Sequence, residues 1–405
     1  MAFIERQYRW VILIVATLAQ SCACFFVQGF GSIALNVKAA FSLDDWQIGV
    51  LVSAAQLVPL FGLLVAGELL DRYSERFVVA GGTLIVGGAL CAAAFVDTYA
   101  ALLILLIVLG LGYSTAQPGG SKSVSNWFAG HQLGFAMGIR QAGLPLGGAM
   151  ATLLLPYIAV NYSSQAAFLA SGLVALAGAV LFMALYREPQ GKPAAGRKSI
   201  DLKAAALDRL SMAADPAMRN IMLSGASLTA TQYAISVFLV LYLHLSVGLD
   251  DVAATVMFFI VLGAGVVGRI VLAAWSDRCK AGRYVPVLTC LGVVAVALLG
   301  LPWLQTRNLG VLGTYMALVG FFAYGWYGPW VAYIADTAPA ERKGFALGMA
   351  MTANQISVVI VPPVVGFSND LAGTYAYAWG ALAMVSLLVL QNTYRRARAN
   401  ALALR

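Results

Sequence analysis

Twelve apolar runs, each close to the length needed to cross a bilayer, leave this chain almost no way to fold in water. They fall at roughly 10–35, 47–70, 77–96, 100–123, 134–157, 165–186, 219–243, 252–275, 284–303, 309–334, 344–367 and 373–393. A helix needs about 20 apolar residues to span the hydrocarbon. In lipid only a helix or a closed barrel satisfies its own backbone. Of the 405 residues, 10% are charged, against about 25% in a soluble domain. The pattern predicts an all-α membrane protein of twelve transmembrane helices.

The runs form two matched sets of six. Leu43-Asp44-Asp45 precedes the second run, which ends in Asp71-Arg72. Leu249-Asp250-Asp251 precedes the eighth, which ends in Asp277-Arg278, each charged position recurring 206 residues later. Gly134-Phe135-Ala136-Met137-Gly138 recurs as Gly344-Phe345-Ala346-Leu347-Gly348, offset by 210. Duplicated halves of this kind mark transporters built from structural repeats, with the substrate site where the halves face each other. The expected organisation is an N-terminal six-helix bundle at 1–186, a hydrophilic linker at 187–218 and a C-terminal bundle at 219–405. A short interfacial helix around Leu202–Met212 is expected in the linker.

Lys and Arg in short loops set orientation. With both termini in the cytoplasm, twenty of the twenty-five basic residues lie inside, among them Arg6, Arg9, Arg72, Arg76, Arg278 and Arg395. Lys38 and Arg307 alone fall outside, beside acids such as Asp44, Asp45, Asp250, Asp251 and Asp370. The net charge of +8 is thus a topology signal of a multi-pass inner-membrane protein, not a nucleic-acid footprint. The first run is long enough to span and is expected to be retained. Cys22, Cys24, Cys91, Cys279 and Cys290 lack metal or redox spacing. No metal site, cofactor, catalytic constellation or nucleotide loop is expected, so energy must come from a solute or ion gradient. The expected oligomeric state is a monomer.

The loop after the second run reads Gly67-Glu68-Leu69-Leu70-Asp71-Arg72-Tyr73-Ser74-Glu75-Arg76. It resembles the signature of the major facilitator superfamily. The second copy, Gly268 to Asp277-Arg278, has Ala273 in place of Gly67. The expected roles are close helix approach at Gly67, a helix N-terminus faced by Asp71, and loop retention by Arg72 and Arg76. Gly143-Leu144-Pro145 partly resembles the Gly-Pro motif of antiporters in this superfamily. The plainer reading is tight packing and a bend at Pro145.

Away from the ends of the runs the only charges are Lys122, Arg140 and Arg269, with no Asp or Glu; Glu68 and Asp336 sit near cytoplasmic ends. A mid-bilayer Arg or Lys costs about 2.5–3.5 kcal/mol on insertion scales, so an anionic substrate is the expected counter-charge. Arg matches a carboxylate because its fork donates two parallel hydrogen bonds. Arg269 lies eight residues, roughly 12 Å, before Asp277. The chain resembles the monocarboxylate porter and oxalate/formate antiporter branch, which carries a carboxylate-binding Arg there. The resemblance implies that role for Arg269; the alternative is a packing Arg bonded to carbonyls. Arg140 is the candidate second contact, and Lys122, Lys38 and His244 are candidates for coupling. Two departures limit the resemblance: Gly31 stands where monocarboxylate porters carry a Lys, and Asn354 and Gln355 where the oxalate/formate antiporter carries one.

The fold that this resemblance implies lines its pathway with helices one, four, seven and ten. Cavity candidates are Gln28, Tyr113, Gln117, Tyr233, Tyr324, Tyr327 and Asn354, with Gln56, Gln232, Trp326 and Gln355 also polar or aromatic within runs. Tyr and Trp suit an amphipathic acid better than a sugar. The expectation is a secondary transporter of a small mono- or dicarboxylate, working by alternating access with a proton, cation or counter-anion. The alternative is a proton-coupled drug efflux antiporter, and the remaining one a non-transporting membrane sensor.

Overall fold

A computed structural model describes residues 2–128, 132–188, 216–279, 282, 284–337 and 343–403. Among these, twelve helical segments are long and apolar enough to cross a membrane: Gln7–Phe41, Asp45–Leu63, Glu75–Ala93, Tyr99–Trp127, Phe135–Asn161, Ser164–Leu185, Met218–Leu245, Asp251–Arg278, Val285–Trp303, Leu309–Ile334, Ala346–Ala372 and Ala376–Arg395. They are called the first to twelfth spans. Their outer faces expose large apolar side chains such as Phe61, Leu153, Val180 and Val296, a surface suited to lipid tails. The Leu202–Met212 segment lies outside the described residues.

The duplicated acids have a local cause. Asp250 accepts from the Ala253 amide at 2.7 Å and starts the eighth span. At the second span the Gln47 side chain reaches back to the Asp44 amide at 2.9 Å. Both are N-cap devices that satisfy amides a helix start leaves unpaired. Three spans are interrupted: the first by a 3-10 turn at Phe30–Ile33, the fourth between Tyr113 and Ala116, the tenth between Gly325 and Tyr327. The last two are equivalent positions in the two halves.

Packing repeats as the sequence does. First on fifth, second on fourth, third on sixth and first on sixth recur as seventh on eleventh, eighth on tenth, ninth on twelfth and seventh on twelfth. Across the halves the second span packs on the eleventh and the fifth on the eighth. An even number of spans puts both chain ends on one face, the termini face; Asp45, Asp251 and Asp370 mark the opposite, far face.

The far-face half is sealed by backbone contact. A Cβ on Gly31 would stand 2.0 Å from the Ser236 carbonyl oxygen of the seventh span, and one on Gly366 2.3 Å from the Asp45 carbonyl oxygen. Gly67 differs from expectation: nothing described stands within 4 Å of its Cβ position. Overpacking costs about 1–3 kcal/mol. Gly31→Ala should therefore lower the melting temperature of the purified protein, while Gly67→Ala, in a helix interior with room for a Cβ, should raise it slightly.

Candidate functional site

Between the halves lies a cavity with about 110 Å³ of space for water-sized centres, open at one end. It is on the termini side of the sealed contacts. The interruptions of the fourth and tenth spans place Tyr113 and Gln117 on one wall and Trp326 and Tyr327 on the other. The second and eleventh spans add Gln56, Asn354 and Gln355, the seventh Thr229, Gln232 and Tyr233. Apolar wall comes from Pro59, Leu63, Leu144, Met351 and Val358. Two internal bonds fix amides: Gln355 Nε2 donates to Gln56 Oε1 at 3.0 Å, and Trp326 Nε1 to Gln232 Oε1 at 3.3 Å.

Among the described residues one cation lines this cavity, Arg269. It is 3% exposed, with its Cζ 5.5 Å from the centre of the Tyr327 ring. Nη1 donates to the Gln141 carbonyl of the fifth span at 2.9 Å. Nε is buried without a partner, and among the described residues no carboxylate pairs with the group. The structure thus combines both readings of Arg269: it bonds a carbonyl and also faces the cavity.

Arg140 is placed differently. It is fully buried and absent from the cavity wall. Its Nη2 donates to Gln20 Oε1 at 2.7 Å, to the Gln117 carbonyl at 2.8 Å and to the Ala116 carbonyl at 3.1 Å. Gly120 makes the room, since a Cβ there would stand 2.7 Å from Nε and Nη2. Arg140 therefore reaches the cavity only through Gln117.

Two other candidates also lie behind the wall. Gln28 is wedged against Gly148 of the fifth span, whose Cβ position is 2.9 Å from Gln28 Cβ, so the first span contributes no lining residue. Tyr324 points back into its own half, its hydroxyl 2.5 Å from that of Ser236. Tyr113, Gln117, Tyr233, Tyr327 and Asn354 line the cavity with Arg269.

The coupling candidates all have partners. Lys122 donates to the Leu70 carbonyl at 2.5 Å and stands 3.8 Å from Glu75. Lys38 pairs with Asp45, and His244 Nδ1 with Asp251 at 2.8 Å. Those last two pairs are equivalent, 206 residues apart. Arg72 pairs with Glu68, and Arg76 Nε donates to the Met183 carbonyl at 2.5 Å. Asp277 and Arg278 are exposed at the end of the eighth span. The Asp71 side chain lies outside the described residues.

Two buried acids escaped the sequence reading, which set them in loops. Glu75 is 6% exposed, accepting from Asn126 Nδ2 at 2.7 Å and from the Tyr186 hydroxyl. Burial and the Glu75 contact push the Tyr186 hydroxyl up, keeping it a donor. Asp45 is fully buried at the far face, held by Lys38, by Asn369 Nδ2 at 2.8 Å and by the Tyr375 hydroxyl. Burial first, then the Asp45 charge, push that hydroxyl up too. Asp370 accepts from the Asp45 and Trp46 amides at 3.1 and 2.8 Å. It thus caps a helix of the first half from the second.

Comparison with known proteins gives consistent matches. A model of the Major Facilitator Superfamily matches residues 16–362. The hexuronate transporter of Bacillus subtilis is 24% identical over 377 residues, covering 88% of this chain and 89% of that protein. The 3-(3-hydroxy-phenyl)propionate transporter of Escherichia coli is 25% identical over 378 residues, covering 92% and 91%. Among solved structures, a bacterial homologue of the human lysosomal transporter Spinster, inward-facing and unoccupied, superposes with a TM-score of 0.70. It is 15% identical, with 95% of this chain and 94% of that chain covered, a likeness of fold alone.

Proposed function

Since this chain belongs to the Major Facilitator Superfamily, we propose that it is a secondary transporter of small organic anions, and of monocarboxylates in particular. The observation that carries the reading is Arg269: a guanidinium on the cavity wall with its Nε unpartnered and, among the described residues, no acid beside it. A desolvated, unpaired cation is costly, and a carboxylate would both neutralise it and fill its fork. Arg140 is already occupied by Gln20 and two carbonyls, which favours one carboxylate over two. The rings of Tyr327, Trp326, Tyr113 and Tyr233 offer apolar faces with polar edges, suited to a flat organic body. Two relatives bear the names of acid transporters, for hexuronate and for a phenylpropionate.

In this reading the two six-helix bundles rock about the cavity in a bacterial inner membrane, with both termini in the cytoplasm. The sealed far face and the cavity on the termini side support an inward-facing state. Coupling would fall to a proton, a cation or a counter-anion. Efflux of lipophilic cations fits less well, because no acid is among the cavity-lining residues.

The test is thermal stabilisation of the purified protein by benzoate, 3-phenylpropionate, succinate and tetraphenylphosphonium. A ligand at 100 times its Kd adds about 2.7 kcal/mol. The two monocarboxylates should raise the melting temperature, succinate less so and tetraphenylphosphonium not at all. Stabilisation by the cation alone would overturn the reading.

A further inference from the structure

The fifth span carries Pro145 in its interior. In an α-helix the N–H of each residue bonds the carbonyl four residues earlier. Proline has no N–H, so it leaves that carbonyl without its helical partner. The carbonyl concerned is that of Gln141. It is the one that receives Arg269 Nη1, at 2.9 Å, from the other half of the molecule. Among the described residues Arg269 makes no other hydrogen bond, and its Nε is buried and unpartnered.

The same device occurs once more across the halves. The eleventh span carries Pro362 and Pro363, and Pro363 frees the carbonyl of Val359. The hydroxyl of Ser53, on the second span, lies 2.6 Å from that oxygen. In both cases the second helix of one half supplies the donor. In both, the proline-bearing fifth helix of the other half supplies the acceptor. The Gly143 and Gly147 side of the fifth span is used separately, against Thr17 and Ser21 of the first. Pro145 therefore acts toward the eighth span, where the glycines act toward the first.

We infer that Pro145 is a positioning residue for Arg269. By freeing the Gln141 carbonyl it creates an acceptor that takes Nη1, fixes the plane of the guanidinium, and leaves the edge formed by Nε and Nη2 for a carboxylate in the cavity. This rests on the reading of Arg269 as the carboxylate anchor. An alanine at 145 would restore the helical N–H. The Gln141 carbonyl would then be shared with the residue-145 N–H, and its bond to Arg269 would weaken.

The experiment is a double-mutant cycle on the full-length protein in detergent, with Pro145→Ala, Arg269→Ala and the pair, melted with and without benzoate. In Arg269→Ala the Gln141 carbonyl has lost its donor and Pro145→Ala returns one. The proline substitution should therefore raise the melting temperature by several degrees more in that background than beside Arg269. Pro156→Ala, on the same helix, should change both backgrounds equally. With Arg269 present, Pro145→Ala should raise the benzoate concentration giving half-maximal stabilisation about tenfold. Equal melting shifts for Pro145→Ala in both backgrounds would overturn the inference. If they are equal while Arg269→Ala still loses the benzoate response, the anchor stands and Pro145 does not position it. If they differ while Arg269→Ala keeps the benzoate response, the anchor reading is the one that falls.

Discussion

Arg269→Ala should weaken carboxylate binding about 100-fold, and Arg269→Lys about tenfold. A charged, two-pronged hydrogen bond in a dry site contributes roughly 2–3 kcal/mol, and every 1.4 kcal/mol is a factor of ten. Lysine keeps the charge but presents a point donor in place of a planar fork, so it should recover part of the loss. Isothermal titration with a monocarboxylate such as benzoate reads both. Arg140 supplies the contrast. Its guanidinium ties the first, fourth and fifth spans through Gln20, Ala116 and Gln117. Its removal should appear as lost stability, with binding altered only through Gln117. Wild-type binding by both Arg269 variants would remove the basis of the proposed function.

Asp45→Ala should destabilise the protein by about 3 kcal/mol, while the equivalent Asp251→Ala should cost under about 1 kcal/mol. The two acids occupy matched positions, each with a basic partner seven residues before it. Their surroundings differ. The Asp251 side chain is 57% exposed and its His244 partner 37%, so water screens the pair. Asp45 is fully buried, and it is the acceptor for Asn369 and Tyr375 as well as Lys38. Removing one partner of a buried polar cluster leaves the rest unpaired, which costs more than the cluster gained in forming. Lys38 is 30% exposed and so softens the loss. Because Asn369 and Tyr375 belong to the other half, the same change should loosen the far-face seal. Thermal melting of both variants compares them directly; equal losses would mean that burial at Asp45 contributes nothing.

The same pair illustrates what the sequence can and cannot say. Twelve spans were legible because lipid demands continuous apolar length, and the duplicated Asp pairs were legible as landmarks because they cap helices. Arg269 stood out because a charge in an apolar run is costly. Arg140 gave the same signal, yet its environment depends on the missing side chain of Gly120 and on Gln20, which is 120 residues away. Asp45 and Glu75 read as loop acids, since nothing local says that Tyr375 or Tyr186 will cover them. Gln28 and Tyr324 had the composition of lining residues, but a helix face chooses its neighbour only once Gly148 and Ser236 are in place. The signature loop pointed to the superfamily whose model matches the chain, while the close approach assigned to Gly67 has no described neighbour here. Composition and periodicity fix which helices exist; which side of a helix meets the cavity is decided by distant glycines and prolines.

The proline-freed carbonyls bear on how the two halves depend on each other. Gln141 has its donor in the second copy, and Val359 has its donor in the first. A copy standing alone would turn a bare carbonyl toward acyl chains that have nothing to donate, at a cost of several kcal/mol. Each half thus supplies the donor for a carbonyl that a proline frees in the other, so separating the halves would take both donors away.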